Sequence, residues 1–234
     1  GVSVVGVFCL GCGNFFSVWF SLVEGGILCV ESDFKGVKSS KPVDVPRIGF
    51  RMRLPATADS FTYLGRGPEE NYADRFGGTL IGGYSSSASK EYVRYVRPQE
   101  CGHHIDCEYL SIGGLAIRSD RFEFNALRCA VEDLDSEEAV QRDYQWENKG
   151  PLTENDPAKA KNRLRRQTHI NDYVERDFVE VCVDYAQSGV GGYDSWGSRP
   201  DGDRCLWSDR DYSFRFAIVP ARAMGVRKSL GFDF

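Results

Sequence analysis

The sequence predicts an all-β protein built from antiparallel sheets. Three observations carry this: strict two-residue alternation of apolar and polar side chains, turn-forming clusters between the alternating runs, and little helical pattern. In residues 47–54, Ile48, Phe50, Met52 and Leu54 interleave with Arg47, Gly49, Arg51 and Arg53. That arrangement sets one face on a core and the other in water or against acidic partners. The period recurs in 178–185, where Val179, Val181, Val183 and Tyr185 alternate with Glu180, Cys182 and Asp184. It recurs again in 211–218, through Tyr212, Phe214, Phe216 and Ile218. Shorter strand candidates are 15–23, 27–31, 61–64, 92–96, 105–111, 115–119 and 122–127. Gly, Pro, Asn and Asp punctuate them, as hairpins and loops require, so a sandwich or barrel is expected.

Helix is expected in two places only, 133–141, opened by Asp135-Ser136, and 157–167, opened by Pro157. The stretch 150–166 carries Pro151, Asn155-Asp156-Pro157 and the basic run from Lys159 to Arg166. It reads as an exposed excursion between strands, with the basic run a solvated face.

Composition narrows the function. The 234 residues carry a net charge of -5, 41% hydrophobic and 27% charged residues, the profile of one soluble globular domain spanning 1–234. The acidic balance argues against a nucleic-acid partner, which needs a basic face, and a neutral sugar fits better. Of the eight cysteines only Cys9 and Cys12 are closely spaced, with no second pair or nearby histidine to complete a zinc site, so no metal is expected. The others read as small buried hydrophobes kept reduced, which favours a cytoplasmic setting. Residues 2–30 are apolar, but Gly11, Gly13, Gly25, Gly26, Ser17, Ser21 and Glu24 interrupt them and no basic segment precedes them. Paired strands therefore fit better than a leader or a membrane span. With no initiator Met, the chain is expected to start inside a longer product.

Three stretches are denser in Gly, Pro, aromatic and charged residues than turns need: 63–75, 95–104 and 189–197. Glu70 and Glu100 could form a glycosidase pair, which requires two carboxylates flanking the bond. Loop carboxylates that accept backbone N–H bonds or pair with Arg66, Arg75 or Arg97 are the commoner arrangement, so no catalytic residue is assigned. Gly189, Gly191 and Gly192 lack the order and following helix of a phosphate loop. They let the backbone turn and pack closely, presenting Asp194, Ser195 and Trp196 at a rim. Trp196, outside any alternating run, is either a core aromatic or a stacking platform for the C–H face of a sugar. His103, His104 and His169 are the only histidines. His104 with Glu100 could serve as the acid and base of a sugar mutarotase, although a loop hydrogen bond is the default for His104.

Four ordered motifs carry a resemblance. They are Pro46-Arg47-Ile48-Gly49-Phe50 with Leu54-Pro55, then Gly65-Arg66-Gly67-Pro68 with Glu70-Asn71-Tyr72 and Asp74-Arg75. Tyr95-Val96-Arg97-Pro98-Gln99-Glu100 with Gly102, and Gly189-Val190-Gly191-Gly192 with Asp194-Ser195-Trp196-Gly197, complete the set. In order and spacing they resemble the C-terminal small domain of family 2 glycoside hydrolase β-galactosidases. The terminal strand and Pro220 sit where the family's last strand ends. The resemblance implies a large antiparallel β-supersandwich, galactose mutarotase-like, in an enzyme that hydrolyses terminal β-D-galactosides with retention. It implies that the catalytic glutamates, and any Mg or Na, belong to an upstream barrel, with no cofactor in this chain. It further implies that Trp196 packs against the β-galactoside, a role that carries over to that residue alone. Ser195 and Asp194, presented beside it by the glycine turn, and Glu100 and His104 are further candidate contacts.

Cys101 stands where the family has Asn, and His104, Cys107 and Glu108 also depart from its pattern. The family's opening strands are expected ahead of residue 1, so the domain is expected to be incomplete. The expectation is a non-catalytic domain that completes the site of its barrel and joins a homo-oligomer in the full enzyme. A stand-alone sugar mutarotase and a pure scaffold are the alternatives.

Overall fold

The computed structural model describes residues 2–10, 13–96, 99–134, 173–192, 194 and 198–223. Ten strands form one continuous antiparallel sheet that folds over on itself as a sandwich. In chain order they are β1 (Val2–Cys9), β2 (Phe15–Val23), β3 (Ile27–Lys35), β5 (Arg47–Pro55), β6 (Ser60–Gly67), β7 (Leu80–Ser87), β8 (His103–Ile112), β9 (Leu115–Leu127), β10 (Phe178–Gln187) and β12 (Tyr212–Pro220). The short β4 (Asp44–Val45) and β11 (Leu206–Trp207) pair separately.

The sheet forks at β9. Leu115–Arg118 pair with β12, which continues through β3 and β2 to β1. Glu123–Leu127 pair instead with β10, which pairs in turn with β5. On its other side β9 is lined by β8, then β6 and β7. Between the two arms β8 carries a register shift from His104 to Tyr109, with Asp106 at φ 56. Such an irregularity bends and twists a strand locally, as a sheet that changes partners requires.

The alternation in β5 is what closes the sandwich. Phe50 faces the other arm, its ring centroid 5.9 Å from Phe16, 6.3 Å from Phe20 and 5.4 Å from Phe216. On the opposite face of β5, Arg51 and Arg53 reach Glu180 of β10, the acidic partner the pattern allowed. Phe124 on β9 is fully buried and meets Phe61 edge-on at 5.7 Å and Tyr63 at 5.2 Å. Burying each such side chain contributes roughly 1.5–3 kcal/mol.

Several expectations need correction. Residues 92–96 are a connecting segment rather than a strand. The two short strands expected at 115–119 and 122–127 are the single β9. β7 has no sequence signal, because Gly82, Gly83 and Ser85–Ser87 supply neither β-branched residues nor a clear apolar face. The residues at the start of the 133–141 helix lie in a 3-10 turn, Val131–Leu134. From 135 onward that segment, the 157–167 helix and the 150–166 excursion lie outside the described residues. No helix among the described residues is long and apolar enough to cross a membrane. The seven described cysteines, Cys9 exposed and the rest buried, are free thiols, and Cys12 lies outside the described residues.

Replacing Phe124 with Ala is expected to lower the free energy of unfolding by about 4 kcal/mol, from lost transfer energy and the cavity left behind. Val4→Thr on the exposed β1 should stay within about 0.5 kcal/mol. Guanidinium titration followed by circular dichroism measures both.

Candidate functional site

Three connections meet at one end of the sandwich: residues 68–79 after β6, 88–102 before β8, and 188–205 after β10. The first two are tied by Glu70, which is largely buried. One carboxylate oxygen takes the Tyr95 hydroxyl and the Arg75 guanidinium, and the other accepts the Gly102 amide at 2.8 Å. Asn71 is fully enclosed. Its side chain donates to the Arg66 and Glu69 carbonyls at 2.9 Å and accepts the Ile105 amide at 2.8 Å. These groups satisfy backbone that the loops would otherwise bury unpaired.

The third connection hangs on Asp74. Its two carboxylate oxygens accept the amides of Val190 at 3.2 Å and Gly191 at 2.7 Å. Arg204 donates to the Ala73 carbonyl at 3.2 Å, and its own carbonyl accepts the Gly189 amide at 2.8 Å. The glycines serve close approach: a Cβ on Gly189 would lie 2.6 Å from Asp74 Oδ2, and one on Gly192 would lie 2.1 Å from the Ser198 carbonyl oxygen. Asp194 is exposed and accepts the Ser198 amide at 3.4 Å. Ser195 and Trp196, the other two expected sugar contacts in this loop, lie outside the described residues, as do Arg97 and Pro98.

Beneath the loops sits a polar cluster centred on Arg47. The guanidinium lies 3.0 Å from Glu100 and 3.2 Å from Asp184, and donates to Asn125 at 3.1 Å and Gln187 at 2.5 Å. Gly49 makes room for Asp184, since a Cβ there would lie 2.1 Å from Asp184 Oδ1. Burial raises the Asp184 carboxyl well above the carboxylate range even beside Arg47. His103 Nε2 lies 3.0 Å from Glu123, which also accepts the Gln187 amide at 2.8 Å, and the Tyr72 ring stacks on the imidazole at 5.3 Å. Burial pushes the Glu123 carboxyl up to about 7, and burial with Arg47 nearby holds His103 well below its ordinary value, so this imidazole is neutral.

His104 and Glu100 are not partners. His104 is fully buried, with Nε2 2.9 Å from Glu91 and Nδ1 3.2 Å from the Tyr63 hydroxyl, while Glu100 is held by Arg47. No acid–base pair is assembled between them, and His104 offers no exposed atom to a ligand. Cys101, where the resemblance leads one to expect Asn, packs with Tyr92, Leu127 and Cys129. The expected pairing of Glu70 with Arg75 is present, whereas Arg66 pairs with Asp106. Sequence reasoning missed Asp74 as the anchor of the glycine loop, Arg47 as a hub, and Glu91 and Glu123 as histidine partners. Arg47 carried a weak signal, as a charged residue opening an apolar alternation.

Asp74→Ala should speed hydrogen exchange at the Val190 and Gly191 amides by about tenfold or more, the scale of hydrogen bonds to a charged acceptor. A carboxyl with a raised folded pKa holds its proton more tightly in the folded state, so Glu123 lowers stability as pH rises from about 4.5 to about 7. Glu123→Gln should remove that dependence and gain roughly 2–3 kcal/mol over its parent between pH 5 and pH 8. Urea titrations at both pH values read the difference.

Against known proteins, the profile of the family described as beta galactosidase small chain matches residues 17–218. The chain is 28% identical over 209 residues to a beta-galactosidase of Priestia megaterium, covering 87% of this chain and 17% of that protein. It is 29% identical over 203 residues to one of Streptococcus thermophilus, covering 83% and 17%. It is 30% identical over 176 residues to one of Pseudoalteromonas haloplanktis, covering 75% and 14%. The chain thus spans about 17% of the first two relatives. The matched region contains all three convergent loops and the cluster beneath them, and the chain belongs to the beta-galactosidase small-chain family.

Proposed function

We propose that this chain is the non-catalytic C-terminal domain of a retaining family 2 β-galactosidase, and that it completes the substrate pocket of an upstream catalytic barrel through Trp196. The observation that carries this reading is the anchoring of residues 189–192. Asp74 from the first connection and the Arg204 carbonyl from the far end of the third hold that backbone, through bonds to the amides of Gly189, Val190 and Gly191. A loop tied this way is a firm base for a residue a few positions on, and an indole there can pack on the apolar face of a galactoside while its N–H reaches a hydroxyl.

Two further observations agree. Glu70 has both oxygens engaged by neighbouring loops, and the buried acids Glu123 and Asp184 are engaged within the Arg47 cluster, which agrees with a catalytic pair supplied from outside these loops. The relatives are several times longer than this chain, which leaves room for a barrel elsewhere in the polypeptide.

In the full-length polypeptide, Trp196→Ala should lower kcat/KM for lactose and nitrophenyl galactosides by about tenfold, with Trp196→Phe retaining most of it. Steady-state kinetics across several aglycones provide the test. Unchanged values for the Ala variant would reject the platform.

A further inference from the structure

A separate opening lies at the fork in the sheet. Between Arg118, the last β9 residue paired with β12, and Glu123, the first paired with β10, β9 has no partner on that side. The gap is a cleft of about 360 Å³, within the size range of small-ligand sites. Its floor is apolar and aromatic, from Phe214 and Tyr185, which meet edge-on at 6.3 Å. Its wall is the outer face of the β2–β3–β12 arm. There, Trp19 is directly opposite Glu31, Glu31 opposite Arg215, and Arg215 reaches Asp120 of β9 at 3.2 Å.

The chemistry of this row is specific. Trp19 is 36% exposed, and its ring has no aromatic or cationic partner among the described residues. Glu31 beside it is exposed and makes no hydrogen bond or ion pair among those residues. Ser213 donates to Asp33 at 2.6 Å in the next row, and Ser119 donates to the Arg215 carbonyl at 2.7 Å. An open indole face next to an unengaged carboxylate, a guanidinium and hydroxyls matches a ligand with an apolar C–H face rimmed by hydroxyls. A hydrocarbon would leave the carboxylate desolvated and unpaired, and an anion would face Glu31, Asp33 and Asp120 together. We infer that the fork cleft is a saccharide-binding site, in which Trp19 stacks on a pyranose ring and Glu31 accepts its hydroxyls. This inference does not depend on Trp196.

The test labels the intact protein with 5-fluorotryptophan, whose four positions are Trp19, Trp146, Trp196 and Trp207, and assigns the Trp19 resonance with Trp19→Phe. Titration with lactose is expected to move that resonance along a saturable curve, and Glu31→Gln to weaken the apparent affinity about fivefold, the scale of one hydrogen bond. A Trp19 resonance that stays fixed, drifts without saturating, or titrates equally in Glu31→Gln overturns the site. Tighter saturable binding of inorganic phosphate or L-arginine overturns the ligand class. Trp196 is read as its own resonance, so failure here and failure of the pocket-completing role are told apart.

Discussion

A strand can hydrogen-bond to one neighbour on each side, and β9 divides one of its sides between two. Its first residues serve β12 and its last serve β10, so the sheet must part where the change occurs. The two layers follow from that division, because the β12–β3–β2–β1 arm and the β10–β5 arm leave the same strand and turn their apolar faces toward each other. Phe50, Phe216, Phe16 and Phe20 fill the space between them. The other end of β9 then carries Glu123 and Asn125 to the place where the three loops converge.

Those loops are held by carboxylate and carboxamide side chains accepting backbone amides rather than by regular structure. Glu70 takes the Gly102 amide, Asp74 takes two amides of the glycine loop, and Asn71 takes the Ile105 amide. A carboxylate suits this because it offers several acceptor positions to N–H groups that the loop geometry leaves without a carbonyl. The same use removes these acids from chemistry, since an oxygen committed to loop backbone is not free to attack or to relay a proton. Beneath them Arg47 joins β5, β9, β10 and the second loop through one guanidinium, and burial around it shifts Asp184 and Glu123 upward and His103 downward. The cluster is costly to desolvate and tolerates little change of position, so it fixes how the loops sit on the sheet.

Much of the fold was legible because alternation reports burial directly. β5, β10 and β12 announced themselves through apolar residues at every second position, and the N-terminal apolar run that holds β2 was readable as paired strands. β7 was not legible, because an edge strand of glycine and serine takes its structure from β6 rather than from its own propensity. The segment 92–96 misled in the opposite direction: Tyr92, Val93 and Tyr95 look strand-forming but pack as a loop against Cys101, Leu127 and Cys129. At the loops, the sequence marked where function concentrates but not which carboxylate meets which amide, and the Glu100–His104 pair it suggested is divided between Arg47 and Glu91.

By itself, then, the sequence determined the strand-rich class, the inward faces of the main strands, the three loops and the family, since these depend on local periodicity and on short motifs in order. The tertiary structure alone decided that β9 serves two partners, that Asp74 supports the glycine loop 115 residues or more downstream, and that a cleft opens beside Trp19. Each of these is a pairing between residues far apart in the chain. Such pairings are set by the packing of whole layers, which no local pattern encodes.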